Sequence, residues 1–196
     1  MKKDSYHHGD LANELLAAAL KIVERQGADA VSLRDLAQNL GVSRAAPYRH
    51  FPDRDALLAA VAARGFEDLV EAYESVLADR ELPGAEVLRR GWLVYLDFAR
   101  RRPGLFQLMF DSDFLGRDKP PKVMVPPADR AYHLLWEGMR RAHPQADDAT
   151  IKMRTATAWS TIYGYIALDR ANRFKTFMIR PLSREAVAKA VLAASC

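Results

Sequence analysis

The chain has 196 residues, 49% of them hydrophobic and 28% charged, which suits one domain or two small ones with a sizeable core and gives no sign of disorder. Its net charge of +4 is poor evidence for a nucleic-acid partner, because residues 1–55 carry eight basic and eight acidic side chains and are formally neutral. One cysteine, Cys196, excludes a disulfide framework and a cysteine-rich zinc site; with no signal-peptide core and no apolar run of spanning length, the expectation is a cytoplasmic protein without a membrane partner.

The first stretch, Tyr6 to Leu11, is polar and contains His7-His8. Adjacent histidines on an extended segment point to opposite sides, and no Cys, Asp or Glu partner sits at ligand spacing. The stretch therefore reads as an arm packing or touching phosphate, and no metal site is expected. A helix follows over residues 10–26, with Leu11, Leu15, Ala18, Ala19, Ile22 and Val23 on one stripe and Gly27 as its stop.

Residues 32–57 are the stretch on which the rest depends. Ser32 is an N-cap, with Asp35 three residues on, and Leu33, Leu36, Ala37 and Leu40 form an apolar face. Gly41 ends that helix and Val42 sits under the corner. Ser43 caps a second short helix, expected from Arg44 to about His50. Pro47, four residues after the cap, is expected to cost one intrahelical hydrogen bond only. Helix, glycine corner and short exposed helix make a helix-turn-helix, whose second helix lies in the major groove. Arg44, in its first turn, can pair with guanine O6 and N7, and Ala45 is small enough for close approach and can touch a thymine methyl. Tyr48 and His50 offer donors to phosphate oxygens, and Arg54 opens the next helix, where backbone N–H groups already favour an anion. Phe51 is read as a core anchor. The candidate DNA-binding set is Ser32, Arg34, Ser43, Arg44, Ala45, Tyr48, Arg49, His50 and Arg54. The bland alternative, a helical hairpin with solvated arginines, is weakened by Gly41, Ser43, Tyr48, His50 and Phe51 falling in one register.

Residues 41–57, GVSRAAPYRHFPDRDAL, resemble the N-terminal signature of the TetR (tetracycline-repressor-like) transcriptional regulators: a Gly-Val-Ser turn, then Tyr-x-His-Phe, then a basic residue opening the fourth helix. Pro47 stands where the family usually has leucine and Arg54 where it usually has lysine. The segment Trp159-Ser160-Thr161-Ile162-Tyr163-Gly164 resembles the Trp-x-x-x-His-Gly motif of one TetR subgroup, with Tyr163 in place of histidine, and Tyr6 to Leu11 resembles that subgroup's arm. Tyrosine can still hydrogen-bond but does not titrate near neutrality.

Beyond the signature, a long helix over residues 54–79 repeats apolar residues at three and four, from Leu58 to Leu77. Leaving the DNA-binding unit for the next core, it can act as a lever. Helices are expected at 85–102, 105–110, 128–143, 146–172 and 184–194, with Arg100, Arg101 and Arg102 as cations at a helix C-terminus. Residues 111–127 lose periodicity and gather four prolines, which predicts a long irregular loop. Ala156, Ser160 and Gly164, four apart, let a helix approach closely, either within one subunit or between two. The resemblance implies the second reading, since TetR proteins dimerise through their last two long helices, and it adds Val187 and Val191 to the candidate interface.

The resemblance also implies a small-molecule sensor in the C-terminal part. Aromatic and Met side chains at helical spacing are usually core, yet as a set Trp92, Tyr95, Phe106, Met109, Phe110, Trp136, Met139, Trp159 and Tyr163 form a candidate effector pocket. No catalytic residue is expected and no cofactor: there is no phosphate loop, nucleophile elbow or histidine–carboxylate cluster, and His133 and His143 are isolated. An architectural DNA binder would need a broadly basic surface, against which the neutral first 55 residues argue. The expected protein is all-α, with a DNA-binding domain at 1–55 and a ligand-binding and dimerisation domain at 56–196. Its expected partners are a palindromic duplex operator, a second copy and an unidentified effector. Repression relieved by ligand is the family default, with ligand-dependent activation as the alternative.

Overall fold

The structure, a computed structural model, describes residues 11–195; the expected arm at Tyr6 to Asp10 and Cys196 lie outside them. Nine α-helices are described: α1 Leu11–Gln26, α2 Leu33–Asn39, α3 Arg54–Leu77, α4 Gly84–Arg101, α5 Pro103–Phe110, α6 Val125–Ala142, α7 Asp148–Arg170, α8 Thr176–Ile179 and α9 Arg184–Ala194. Among the described residues there is no strand, and no helix is long and apolar enough to cross a membrane. The chain divides by compactness into two units, one holding the chain up to Phe66 with Gly104–Pro127, the other Glu67–Pro103 with the chain from Ala128 onward. This is a division by packing; the expected division at residue 55 is one by function.

In the first unit, α1 buries Leu15, Ala19 and Val23, three of the six residues of its stripe, and packs against α2. Ser32 Oγ accepts the Asp35 N–H at 3.3 Å, the N-cap that opens α2, and Leu33, Leu36 and Ala37 are buried beneath it. The stop is a Schellman turn. Gly41 has φ 68°, its N–H bonds to the Gln38 carbonyl at 3.2 Å, and the Val42 N–H reaches the Ala37 carbonyl at 3.0 Å. Glycine fits there because side chains strain a left-handed backbone. Helix α5 lies so close to the end of α1 that a Cβ on Gly104 would overlap the Val23 carbonyl oxygen.

Residues 111–127 are less irregular than expected. A 3-10 turn at Phe114–Gly116 buries Phe114, and Met124 is fully buried. Helix α6 already begins at Val125, with Pro126 and Pro127 in its first turn. A first turn has no intrahelical acceptors for its N–H groups, so proline loses nothing there.

In the second unit, α4, α7 and α9 pack on one another around Trp92, Tyr95, Leu96, Ile162, Ile166 and Leu192. Tyr73 of α3 lies so close to Gly91 and Gly138 that a Cβ on either would strike its hydroxyl end. Arg141 fixes the α3–α4 connection by donating to the carbonyls of Leu77, Asp79 and Leu82 at 3.3, 2.7 and 2.9 Å. The arginine run at the end of α4 is used internally: Arg100 donates to Tyr165 Oη at 3.2 Å, Arg101 pairs with Asp97, and Arg102 pairs with Asp68 at 2.6 Å. The short α8 between α7 and α9 lies where no helix was expected.

Candidate nucleic-acid interface

The segment after the Gly41 corner departs from the expected helix. Residues 44–46 are turn and bend, and Pro47–Arg49 is a single 3-10 turn. Pro47 explains the difference. It has no N–H to give the Ser43 carbonyl, which takes the Ala46 N–H at 3.0 Å instead, an i to i+3 bond. The Pro47 carbonyl then accepts from both His50 N–H at 3.0 Å and Phe51 N–H at 2.9 Å. The missing N–H thus accounts for the first bond of the segment, and the i to i+3 pattern continues where Arg49 N–H meets the Ala46 carbonyl at 3.2 Å. Its ring is buried against the unit, and Phe51 is only half-buried, a weaker anchor than expected.

This tight turn leaves Ser43, Arg44, Ala45, Tyr48, Arg49 and His50 exposed, Tyr48 by 52%. Among the described residues none pairs with the Arg44 or Arg49 guanidinium, so both remain available to phosphate or base. Ser43, Arg49 and His50 line an open groove of about 730 Å³ together with Leu11, Gly41, Val42 and Ala46. Arg44, Ala45 and Tyr48 stand on the same turns without lining it. Arg34 is exposed on α2, whereas Ser32 spends its Oγ as the N-cap.

Arg54 has a different position from the rest. Its guanidinium is directed inward, donating from Nε to the Val31 carbonyl at 3.0 Å and from Nη2 to the Ala28 carbonyl at 2.6 Å, with Asp29 at 3.6 Å. It joins the start of α3 to the 3-10 turn Ala28–Ala30, and Asp53 Oδ1 caps the same helix by accepting the Ala56 N–H at 2.7 Å. Nothing local in the sequence pointed to the carbonyls 23 and 26 residues away.

The nine aromatic and Met residues are divided between the two units. Phe106, Met109 and Phe110 are in the first, where Phe110 meets Phe66 edge-on at 5.2 Å and Phe106 at 4.7 Å. The other six are in the second. There Trp92 is buried against Tyr95, whose hydroxyl accepts the Trp159 indole N–H at 3.0 Å, and Arg140 lies over Trp136. The indole nitrogens of Trp92 and Trp136 are buried with no hydrogen-bond partner among the described residues. Met139 lines a cleft of about 180 Å³, and Tyr163 is half-buried. A second cleft, about 200 Å³, lies between α4 and α7 and involves Leu96, Ala99, Arg100 and Ile166, none of them among the nine expected pocket residues.

On α7, Ala156 and Ser160 are exposed, and nothing lies within 4 Å of a Cβ placed on Gly164. Met153 and Leu168, on the same helix, are 70% and 46% exposed, while Val187 and Val191 of α9 are half-buried. Among the described residues no group of His, Cys, Asp and Glu is arranged to hold a metal ion.

Residues 15–61 match the family model for bacterial regulatory proteins of the tetR family, and residues 88–194 match a tetracyclin repressor-like C-terminal domain. A curated relative, the nucleoid occlusion factor SlmA of Vibrio vulnificus (strain YJ016), is 38% identical over 104 residues, 49% of each chain. The chain spans about half the length of the curated relatives it matches. A solved protein of unknown function from Rhodococcus sp. RHA1 is 28% identical with a TM-score of 0.80, covering 98% of this chain and 97% of that one. The TetR family transcriptional regulator PfmR from Thermus thermophilus shares the fold at a TM-score of 0.62 and 24% identity, over 92% and 96% of the two chains.

Proposed function

Because the chain belongs to the tetracycline-repressor-like (TetR) family, we propose that it is a sequence-specific DNA-binding transcriptional regulator, acting as a homodimer on an approximately palindromic operator in the cytoplasm. The observation that carries this reading is the exposed set Arg44, Tyr48, Arg49 and His50 on a turn fixed by the Gly41 Schellman stop. Arg44 reads a guanine edge; Tyr48, Arg49 and His50 hold phosphates, with Ser43 and Arg34 at the margin. Arg54 contributes by holding the segment's support in place. The row Met153, Ala156, Ser160, Gly164 and Leu168 on α7, small or apolar and open to solvent, supports pairing with a second copy, to which Val187 and Val191 of α9 add. A two-fold dimer puts its reading segments in successive major grooves about 34–36 Å apart.

The regulator responds to a small molecule. Two buried indole N–H groups without partners, on Trp92 and Trp136, support a site in the second unit, since buried donors are normally satisfied. The effector acts through its differential affinity for two arrangements of the dimer, and α3, helical without a break from Arg54 to Leu77, is the lever. Release of DNA on binding makes the protein a repressor. The Trp159-to-Gly164 segment supports a place in the subgroup named for Trp-x-x-x-His-Gly, with Tyr163 giving a hydrogen-bonding group that does not titrate near neutrality.

Selection of bound duplexes from a random DNA pool tests the reading. Recovery of an inverted repeat supports it. Enrichment without a motif instead favours an architectural binder, a role closer to the nucleoid occlusion named for the Vibrio relative. No enrichment overturns both.

A further inference from the structure

One stretch of the chain carries more positive charge than the whole chain's net excess. Residues 170–184 contain five basic side chains, Arg170, Arg173, Lys175, Arg180 and Arg184, and no acidic one. Without this stretch, the net charge of +4 becomes −1. The same stretch holds three of the most exposed apolar side chains among the described residues: Phe177 at 84%, Met178 at 60% and Leu182 at 58%. Single exposed apolar residues need no explanation, but three within six residues, flanked by cations, do.

The segment is tied at both ends. Helix α7 stops in a second Schellman turn: Asn172 takes φ 51°, its N–H bonds to the Asp169 carbonyl at 3.0 Å, and the Arg173 N–H reaches the Leu168 carbonyl at 2.8 Å. Phe174 packs on Tyr165 with ring centres 5.6 Å apart. Arg184 pairs with Asp169 at 3.4 Å, and Ser183 Oγ caps α9 by accepting the Ala186 N–H at 3.0 Å. Between these anchors, Arg173, Lys175 and Arg180 are exposed, with no ion-pair partner among the described residues.

We propose that residues 173–182 form a docking surface for an anionic phospholipid bilayer, with Phe177, Met178 and Leu182 entering the headgroup region and Arg173, Lys175 and Arg180 resting on lipid phosphates. Charge complementarity selects an anionic occupant, and the apolar tips select one with an apolar interior beneath its charges. Duplex DNA satisfies the first condition only. A second copy of the same segment satisfies the second only, because it brings like charges together. Long cationic side chains keep their charge at phosphate level while apolar neighbours sit deeper, the usual arrangement of surface-bound segments. The sequence argued against a membrane partner because nothing spans; surface docking needs no span. This proposal does not rest on the DNA-binding reading.

The test is co-sedimentation of the full chain with phosphatidylcholine vesicles, with and without an equal share of phosphatidylglycerol. Binding is expected only to the anionic vesicles, weakening as salt screens the surface charge. Neutralising Arg173, Lys175 and Arg180 together to alanine is expected to lower binding by roughly a hundredfold or more. Phe177→Ser with Met178→Ser is expected to lower it as well, and thermal unfolding of both variants checks that they fold. Their exposed positions predict unchanged unfolding and unchanged duplex binding. Equal binding to neutral vesicles, or undiminished binding of either variant, overturns the proposal. So does a dimer that dissociates in the serine variant, which would place the segment between two copies.

Discussion

The Arg54 guanidinium donates from Nε to the Val31 carbonyl oxygen at 3.0 Å, and through Nη2 to Ala28 at 2.6 Å. One side chain thereby ties the start of α3 to the connection between α1 and α2. Arg54→Ala should destabilise the chain by about 1.5–3 kcal/mol, the usual range for hydrogen bonds to a charged group, in urea unfolding. An unchanged midpoint, with weaker DNA binding, would return Arg54 to the DNA-contacting set.

In the proposed reading, Arg44 and Tyr48 divide base reading from positioning between them. Arg44→Ala should weaken operator binding by roughly 1–3 kcal/mol and relax preference at one position per half-site. Tyr48→Phe should weaken binding about equally across sequences, because a phosphate contact carries no base information. Both are read by competition binding on a panel of single-base operator variants. Unchanged preference in the Arg44 variant would mean that another side chain reads the base.

Pro47 withholds the N–H that an α-helical turn would give the Ser43 carbonyl, so returning an N–H there should change the backbone. In Pro47→Ala the new donor can reach the Ser43 carbonyl, and the Cα chemical shifts of residues 44–49 should move toward α-helical values. Shifts that stay put would locate the cause of the turn in packing instead.

Gly104 has no room for a side chain, because a Cβ would overlap the Val23 carbonyl oxygen. Backbone cannot yield as a flexible side chain does, so Gly104→Ala should cost about 1–3 kcal/mol in thermal unfolding. Wild-type stability in that variant would show that α5 and the end of α1 can separate cheaply.

Glu86 is held by Arg89 and Arg90, both at 2.7 Å, and its carboxyl is lowered from 4.5 to about 2. A depressed carboxyl contributes stability that is fully present above its unfolded value and lost as pH falls through the folded one. The Glu86 contribution should therefore decline between about pH 4.5 and pH 2. A side-chain NMR titration with a midpoint near 4.5 would dissolve the prediction, and Glu86→Gln should flatten the acid limb over that window.

Features written within a few residues are legible from the order of amino acids alone. Ser32 caps α2 because a hydroxyl reaches the N–H three residues on, and Gly41 ends that helix because glycine accepts φ 68° there without strain. The apolar faces of α1, α2 and α3 follow from helical period, and the family signature at 41–57 is contiguous. Even the 3-10 turn at Pro47 was legible in principle, since the missing N–H is a property of that residue. Tertiary structure alone decided the long-range pairings. Arg54 finds Ala28 and Val31, Arg102 finds Asp68, and Arg141 finds three carbonyls of the α3–α4 connection, because folding juxtaposes groups whose sequence spacing carries no signal. It also decided which aromatic residues share a core, and left Phe177 and Met178 in solvent when composition predicts burial. Local rules act through bonds a few residues long, whereas burial depends on what the rest of the chain brings alongside.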